Sequence, residues 1–303
     1  VHGVFPGVKP DATYAKYILA MGMNLGMGIA SSDGGVRGLL DRVVYEKDIK
    51  VVCVDPHCGP DASKTEWVPI RPGGELAFMM GVIHSMIFEV KKLDFDFLQW
   101  RTNSPYLIGP DGYYARGTDG KPQILDSADG KVKSFDDPTL KTPDIYAVNV
   151  DVNGVKATAS FVHVKNGFKT YTPEWAAKKS GIPAKKIRQI AKDFIDNASI
   201  GETIELMNGK GEKVILPKRT SVCEGKRGIK NMRDGVPADL MTKMMNMLVG
   251  SIDVPGGMLG TQRGPYLKPD KDGVVEPKVE ARYNDPVYPP QHLNLSEYFP
   301  HKH

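Results

Sequence analysis

Apolar residues recur at two spacings in the first ninety residues, and the two spacings alternate along the chain. Short apolar runs, YILAMG from Tyr17 and KVVCVDP from Lys50, have the length and composition of buried strands. Residues 34–46 and 74–90 have helical spacing instead, and Glu75 can start the second of these helices. Strands that alternate with helices at this spacing predict a parallel sheet with right-handed crossovers.

A different pattern occupies residues 94–159, where glycine, aspartate and proline turns separate short alternating runs, as in GPDGYYARGTDGKPQILDSADGKVKSF. This pattern is typical of short strands joined by hairpins, and it predicts a β-rich insertion. The paired aspartates near its start, Asp94 and Asp96, are expected at a solvated edge.

Helical spacing returns after the insertion, with signals for where each helix starts and stops. Thr172 followed by Pro173 is typical of a helix start, Gly181 of a helix end, and Ile182 or Pro183 can start the next helix. The elements that follow are a hairpin at 202–217, a strand at 220–225, a loop at 226–235 and a helix at 236–250. This order predicts an α/β fold, a doubly wound parallel sheet with a β-rich insertion.

Composition narrows the classes of function without choosing one. The 303 residues carry a net charge of +4, with lysines and arginines spread among acidic residues, so we expect no nucleic-acid partner and favour an anionic ligand. Three cysteines without a CxxC pair are too few for a disulfide framework. No apolar run approaches the roughly 20 residues of a membrane span. A start at Val1 and a proline- and histidine-rich tail favour a piece of a longer protein.

Ligands of a doubly wound sheet bind beyond the carboxyl ends of its strands, where loops and helix N-termini present backbone N–H groups. Four candidate loops are GMNLGMG from Gly22, the turn at Asp55, TEWVPIRPGGE from Thr65, and CEGKRGIKN from Cys223. An acidic residue at the position of Asp55 commonly binds a ribose hydroxyl or a guanine edge. Each loop also has an ordinary alternative, respectively a glycine connection, a turn cap, a tight connection and a solvated basic turn. GMNLGMG lacks the GxGxxG spacing of dinucleotide-binding loops.

The cysteines beside Asp55 raise the question of a metal site. Cys53 lies within the predicted strand and is most simply a small buried hydrophobic residue. Cys58 and His57 lie on the loop, but they lack the four ligands and the CxxC spacing of a zinc or iron–sulfur site. The sequence therefore favours no metal ligand in this segment.

Three longer stretches, in the same order, carry a resemblance to a known family. DPHCGPDASKTEWVPIRPGGELAFMMGVIHSMIFE, YTPEWAAKKSGIPAKKIRQIAKDF and LVGSIDVPGGMLG resemble three segments of the molybdopterin oxidoreductases, the dimethyl sulfoxide reductase superfamily. Two further stretches, RTNSPYLIGPDGYYAR and CEGKRGIKN, look most like the branch that contains acetylene hydratase and phenylacetyl-CoA:acceptor oxidoreductase.

The resemblance implies a catalytic subunit with molybdenum or tungsten held by bis(molybdopterin guanine dinucleotide), and it assigns cofactor-binding residues by position. These are Gly22, Met23 and Asn24 after the first strand, Asp55 and His57 at the guanosine turn, Gly73, Gly74 and Glu75 before the apolar helix, Lys226 and Arg227 facing the pterin, and Gln262 and Arg263 in a closing loop. Glu75 stands where the family has aspartate, and Ile229 where it often has histidine, so those two contacts stay open. No catalytic residue and no metal ligand is assigned to this chain.

The resemblance also implies what surrounds these residues. An iron–sulfur cluster and the metal ligand would lie upstream of Val1, and a further domain would follow His303. The chain would divide into 1–93 and 161–250 as a Rossmann-like dinucleotide-binding domain of a larger multidomain subunit, 94–160 as the insertion, and 251–303 as a segment crossing to a neighbouring domain.

The implied function is two-electron redox of a small substrate in a prokaryote. Electrons would pass to an iron–sulfur subunit in the cytoplasm or periplasm, and a further candidate partner is a membrane anchor subunit. A non-redox hydratase on the same cofactor is one alternative. A nicotinamide-dependent dehydrogenase or a non-catalytic binding domain is another, although the missing GxGxxG argues against the dehydrogenase.

Overall fold

Strands and helices alternate in the computed structural model, which describes residues 8–23, 42–60, 62–207, 211–225, 227–230 and 232–260. The strands in these ranges are β1 (Val8–Pro10), β2 (Tyr17–Met21), β3 (Lys50–Val54), β4 (Glu66–Val68), β5 (Leu107–Ile108), β6 (Gln123–Asp126), β7 (Lys131–Ser134), β8 (Val150–Val152), β9 (Val155–Ala159), β10 (Thr203–Met207), β11 (Lys213–Pro217), β12 (Ser221–Gly225) and β13 (Met258–Gly260). The helices are α1 (Glu75–His84), α2 (Phe95–Arg101), α3 (Ser160–Phe168), α4 (Pro173–Ser180), α5 (Ala184–Asp196), α6 (Arg227–Lys230) and α7 (Gly235–Leu248).

The central sheet contains β12, β2, β3 and β4 side by side, and each neighbouring pair is parallel. From β2 the chain adds β3 and then β4 on one side, and β12 joins much later on the other side of β2. The strand order therefore reverses between β2 and β12, which makes their carboxyl ends the topological switch point of the sheet. Every residue of β2 and β12 is buried, as expected for strands covered on both faces.

The predicted α/β class and parallel sheet are confirmed. Apolar side chains cover the central sheet on both faces. One face carries the larger cluster, in which Val52, Val54 and Val68 pack with buried residues of α1, α5 and α7. The other face carries a smaller cluster, formed by Ala15, Ile18, Ala20, Ile49 and Val51, with Met23 and Val43 packed against it. Most of the helix predicted at 34–46 lies outside the described residues, and its last part is the π-helical turn Arg42–Glu46.

The helix signals read from the sequence are confirmed around α1 and α4. The Thr172 hydroxyl accepts a hydrogen bond from a backbone N–H of the first turn of α4 at 3.2 Å, and Pro173 is the first helical residue. Gly181 ends α4 with a φ of 79°. α1 begins at Glu75, as predicted, and continues as the π-helical segment Ser85–Val90. Helix caps depend only on residues within a few positions along the chain, so helix starts and ends can be predicted from the local sequence.

The segment 94–159 contains the predicted strands and one helix that the sequence pattern did not predict. β5, β9 and β8 form an antiparallel sheet, and β6 and β7 form a hairpin. The additional helix is α2, whose alternating aspartates and phenylalanines resemble a strand pattern, although Asp94 caps it by accepting the Phe97 N–H at 3.0 Å. Two further helices were not predicted: α3, directly after the insertion, and α6, in the expected loop 226–235.

The expectation of a solvated edge is wrong for Asp94, whose side chain is only 3% exposed. Its Oδ2 accepts a hydrogen bond from Nε of Arg219 at 2.7 Å and lies 2.7 Å from Nη2 of the same guanidinium. Arg219 Nη1 also donates to the carbonyl oxygens of Glu202 at 3.1 Å and Lys218 at 2.7 Å. The partner lies 125 residues away along the chain, so local composition gave no sign of this buried ion pair.

Candidate functional site

The carboxyl ends of β2 and β12 meet through a backbone contact between two glycines. Gly22 follows β2 directly with a φ of 53°, and its carbonyl oxygen accepts a hydrogen bond from the Gly228 N–H at 3.1 Å. A Cβ on Gly228 would lie 2.4 Å from that oxygen, and a Cβ on Gly22 would lie 3.0 Å from the Gly228 Cα. Side chains are therefore excluded at the switch point, where backbone is free to approach a ligand closely.

Asp55 is next along the same edge of the sheet, directly after β3. The Asp55 N–H donates to the Val68 carbonyl at 3.3 Å, and the Gly22 N–H donates to the Val54 carbonyl at 3.0 Å, so the loops after β2, β3 and β4 are connected. Asp55 Oδ1 accepts the His57 N–H at 2.8 Å, as in an Asx turn. Asp55 thus caps its turn, and that turn also fixes its carboxylate beside the switch point.

The glycines before α1 differ in their surroundings. Gly73 has a φ of 82°, and nothing lies within 4 Å of the position its Cβ would take. A Cβ on Gly74 would lie 2.6 Å from the Ser180 Cα, so Gly74 permits the close packing of α1 against α4. The Arg71 guanidinium donates to the Lys178 carbonyl at 3.1 Å and thereby satisfies the C-terminal end of α4. Gly74 and Arg71 therefore have structural roles, whereas the Gly73 backbone borders open space.

Glu75 is the first residue of α1 and is only 4% exposed. Within the described residues its Oε2 atom has no hydrogen-bond partner. Burial raises the pKa of this carboxyl; the N–H groups of Glu75 and Gly73 oppose the rise, and the negative charge of Asp55 adds to it. A buried carboxylate oxygen without a donor is costly. Glu75 is therefore an acceptor in position for a hydrogen-bond donor from outside the described chain.

Trp67 belongs to the same edge, although the sequence pattern did not single it out. Its indole Nε1 donates to the Asp55 carbonyl at 2.9 Å, and the side chain is 38% exposed. In the sequence, Trp67 is one residue of a short apolar strand and resembles a core position. Its exposure follows from the place of β4 at the border of the sheet, which composition alone does not reveal.

The loop after β12 is described only in part. Asn24, Lys226, Gln262, Arg263 and the side chain of Arg227 lie outside the described residues. Ile229, at the position where the resembling family often has histidine, is fully buried, and a Cβ on Gly225 would lie 2.0 Å from its Cδ1. This position is a core position in the present chain. Lys230, in the same short helix, contacts Asp239 of α7 at 3.1 Å and so holds α6 against α7.

The cysteines are free thiols that differ in exposure. Cys53 is buried, as predicted, Cys223 is buried, and Cys58 is exposed. Burial raises the pKa of the Cys223 thiol well above its usual range, which disfavours the thiolate that binds metals. Across the ranges that the structure describes, no three His, Cys, Asp or Glu side chains converge as metal ligands. Within those same ranges no helix combines the length and apolarity that crossing a membrane requires.

Several known proteins are similar in sequence, while no family model matches the chain. A sulfite dehydrogenase subunit of Allochromatium vinosum is 25% identical over 252 residues, which cover 73% of this chain and 24% of that protein. Dimethyl sulfoxide reductase DmsA of Escherichia coli is 24% identical over 261 residues, which cover 86% of this chain and 25% of that protein. ArrA, the molybdopterin-containing subunit of the arsenate respiratory reductase of Shewanella sp., is 25% identical over 223 residues, which cover 72% of this chain and 19% of that protein.

A solved structure shares the fold. Acetylene hydratase from Pelobacter acetylenicus matches 87% of this chain and 25% of its own chain with a TM-score of 0.51, at 14% sequence identity. The chain thus spans about a quarter of the length of the sulfite dehydrogenase and dimethyl sulfoxide reductase subunits and of this hydratase.

Proposed function

Because the chain is similar in sequence to a sulfite dehydrogenase subunit, to dimethyl sulfoxide reductase DmsA and to the molybdopterin-containing ArrA, we propose that it belongs to the dimethyl sulfoxide reductase superfamily and that the carboxyl edge of its central sheet holds a molybdopterin guanine dinucleotide. The cofactor would be one of two such dinucleotides around molybdenum or tungsten in a catalytic subunit. When bound, it supplies two-electron chemistry at the metal. The residues of this chain bind and orient it.

The buried Oε2 of Glu75 is the observation that carries this proposal. Guanine presents N–H donors along one edge, and a carboxylate that lacks a partner, fixed beside Asp55, is the acceptor that such an edge requires. The glycine contact of Gly22 with Gly228 lies at the switch point, where nucleotides bind in doubly wound sheets. The described residues therefore fit the nucleotide end of the cofactor.

The other assignments of the proposal follow from position. Asp55 and the His57 turn would receive the guanosine, and Gly73 would offer open backbone before Glu75. Asn24, Lys226, Arg227, Gln262 and Arg263 would complete the cofactor site. Residues 1–93 and 161–250 would form the dinucleotide-binding domain, 94–160 the insertion and 251–303 the crossing to a neighbouring domain.

For the whole protein we propose two-electron redox of a small substrate, with electrons passed to iron–sulfur partners. The relatives named as dehydrogenase and reductase subunits support this choice. The fold shared with acetylene hydratase supports a non-redox hydratase on the same cofactor as the second candidate. Reduction of an artificial dye coupled to substrate turnover separates the two, because a hydratase transfers no electrons.

The cofactor proposal is tested with Asp55→Ala and a matched control. Asp111 in the insertion makes the same kind of Asx turn, accepting the Tyr113 N–H at 3.0 Å, so Asp111→Ala removes an equivalent hydrogen bond elsewhere. We expect Asp55→Ala to lose most of its metal, pterin and acid-released guanine nucleotide, measured per mole of purified protein, and Asp111→Ala to retain them. Normal contents in Asp55→Ala would refute the assignment of this edge.

A further inference from the structure

The Trp67 indole is fixed at the guanine end of the proposed site by its own hydrogen bond. Nε1 donates to the Asp55 carbonyl oxygen at 2.9 Å, which ties the ring to the first residue after β3. The same Asp55 carboxylate bounds the turn and contributes to the raised pKa of Glu75. Trp67, Asp55 and Glu75 are therefore neighbours along one edge of the sheet.

The strand register places Trp67 and Glu75 on different sides of that edge. Val68 belongs to the larger apolar cluster, against which α1 packs, and successive strand residues point to opposite faces. Trp67 precedes Val68 and is aligned with Cys53 of β3, so its ring lies on the other face from α1. The indole and the first turn of α1 therefore lie on opposite faces of the sheet at this edge.

A large aromatic ring that remains 38% exposed while its N–H is satisfied offers its π surface rather than a polar group. Glu75, in contrast, offers a buried acceptor with no partner in the described residues. A ligand that satisfies both must have a flat aromatic face and N–H donors on its rim. Guanine has this combination, and base–aromatic stacking tolerates any base, whereas the carboxylate selects for donors.

We propose that Trp67 is the stacking platform for the guanine base whose donor edge the proposed function assigns to Glu75. This assignment rests on the proposed function and adds a residue to it. Trp67 supplies affinity through stacking, and Glu75 supplies selectivity for guanine over bases that lack the paired donors. The hydrogen bond to Asp55 keeps the indole in place before the base arrives.

Tryptophan fluorescence of the full-length protein, purified without cofactor from a host unable to synthesise molybdopterin, tests the platform directly. The described chain contains Trp67, Trp100 and Trp175, and Trp100 in α2 is 47% exposed, so it provides a matched control. GMP, AMP and CMP are the probes, and calorimetry gives affinities alongside the fluorescence. We expect GMP to quench the wild type and Trp100→Leu but to lose most of its quenching in both Trp67→Leu and Trp67→Phe.

The two Trp67 variants separate stacking from the hydrogen bond. Trp67→Leu keeps an apolar side chain without a π face, and its affinity for GMP should fall roughly tenfold to a hundredfold. Trp67→Phe keeps an aromatic face without the indole N–H, and most of the affinity should remain. Circular dichroism verifies that each variant is folded, and Trp67→Phe alone still decides whether Trp67 is the quenched ring.

Each outcome has a definite meaning. Unchanged GMP affinity in Trp67→Leu, or full quenching in Trp67→Phe, overturns the platform and leaves the Asp55 and Glu75 assignment intact. Equal affinity for GMP and CMP overturns the role of Glu75 in the selection of guanine. No binding of GMP by the wild type overturns both this inference and the proposed nucleotide site.

Discussion

Replacement of Glu75 by glutamine should stabilise the cofactor-free protein while it weakens nucleotide binding. Glu75 is 4% exposed, and within the described residues its Oε2 has no hydrogen-bond partner. Burial raises its pKa above the ordinary 4.5, with a further contribution from Asp55. A raised pKa of an acid means that the native state binds the proton more tightly than the unfolded chain, so ionisation of Glu75 costs native stability.

The expected gain in the free energy of unfolding follows from the cost of burying a polar atom without a hydrogen-bond partner. A buried polar atom without a partner costs on the order of 1–3 kcal/mol, and more when it is charged. Glutamine removes the charge but keeps a polar amide, so we expect Glu75→Gln to raise the free energy of unfolding by about 1 kcal/mol at neutral pH. For a domain of this size that corresponds to a rise in Tm of roughly 2–4 °C.

The pH dependence of the gain is the sharper test. Below the ordinary pKa of 4.5 the carboxyl is protonated in both the native and the unfolded state, so the gain should vanish there; it should grow as pH rises through the raised native pKa. Urea unfolding of the cofactor-free protein at about pH 7 and about pH 4 measures both limits. The same variant should bind GMP more weakly than the wild type, because it lacks the carboxylate.

Glu66, the first residue of β4, provides a control of opposite sign. Burial alone would raise its pKa, but hydrogen bonds from Lys186 and Lys50 outweigh burial and lower it. Glu66→Gln should therefore lose stability at neutral pH, and the loss should disappear as pH falls through the native pKa. If Glu75→Gln destabilises the protein at neutral pH as Glu66→Gln does, the reasoning about Glu75 is refuted.

Three further predictions concern positions away from Glu75. Asp94→Ala should cost about 3–5 kcal/mol in urea unfolding because it leaves the buried Arg219 charge unpaired, and adding Arg219→Met should recover part of that loss; a loss in the double variant equal to the sum of the Asp94→Ala and Arg219→Met losses would show that the pair is not coupled. Gly228→Ala should reduce metal and pterin content because its Cβ would lie 2.4 Å from a backbone oxygen, whereas Gly154→Ala, with a φ of 83° and open space around it, should cost stability alone. Asp126→Asn should lower the Tm near neutral pH, since a lysine ammonium at 2.7 Å and three backbone N–H groups hold the pKa of Asp126 well below its usual range; the deficit should shrink on acidification towards that low pKa, and a constant deficit would contradict it.

Local signals explain which parts of the fold could be predicted. The start and end of α4 depend on Thr172, Pro173 and Gly181, whose effects reach only a few residues along the chain. The parallel sheet could be predicted because buried strands need continuous apolar runs and their crossovers need helices. The helix α2 was missed although Asp94 is a good cap, because alternating phenylalanines also fit a strand.

Contacts between distant segments explain what the sequence could not show. Asp94 is buried because Arg219 lies next to it in space, and nothing in the residues around Asp94 indicates that partner. The burial of Glu75 depends on the register of α1 against the sheet, and the exposure of Trp67 depends on which strand forms the border. The candidate loops could therefore be predicted from the sequence, whereas the burial and exposure of individual side chains depend on contacts between distant segments.

The two ends of β12 connect the insertion to the candidate site. At its carboxyl end, the chain continues to Gly228 and the backbone contact at the switch point. Before its amino end, Arg219 forms the buried pair with Asp94, the residue that caps the first helix of the insertion. β12 is buried throughout and pairs with β2 along its whole length, so displacement of one end requires breaking that pairing or moving the other end. The ion pair therefore helps to fix the strand that carries the switch-point loop, and the insertion contributes to the geometry of the site through β12.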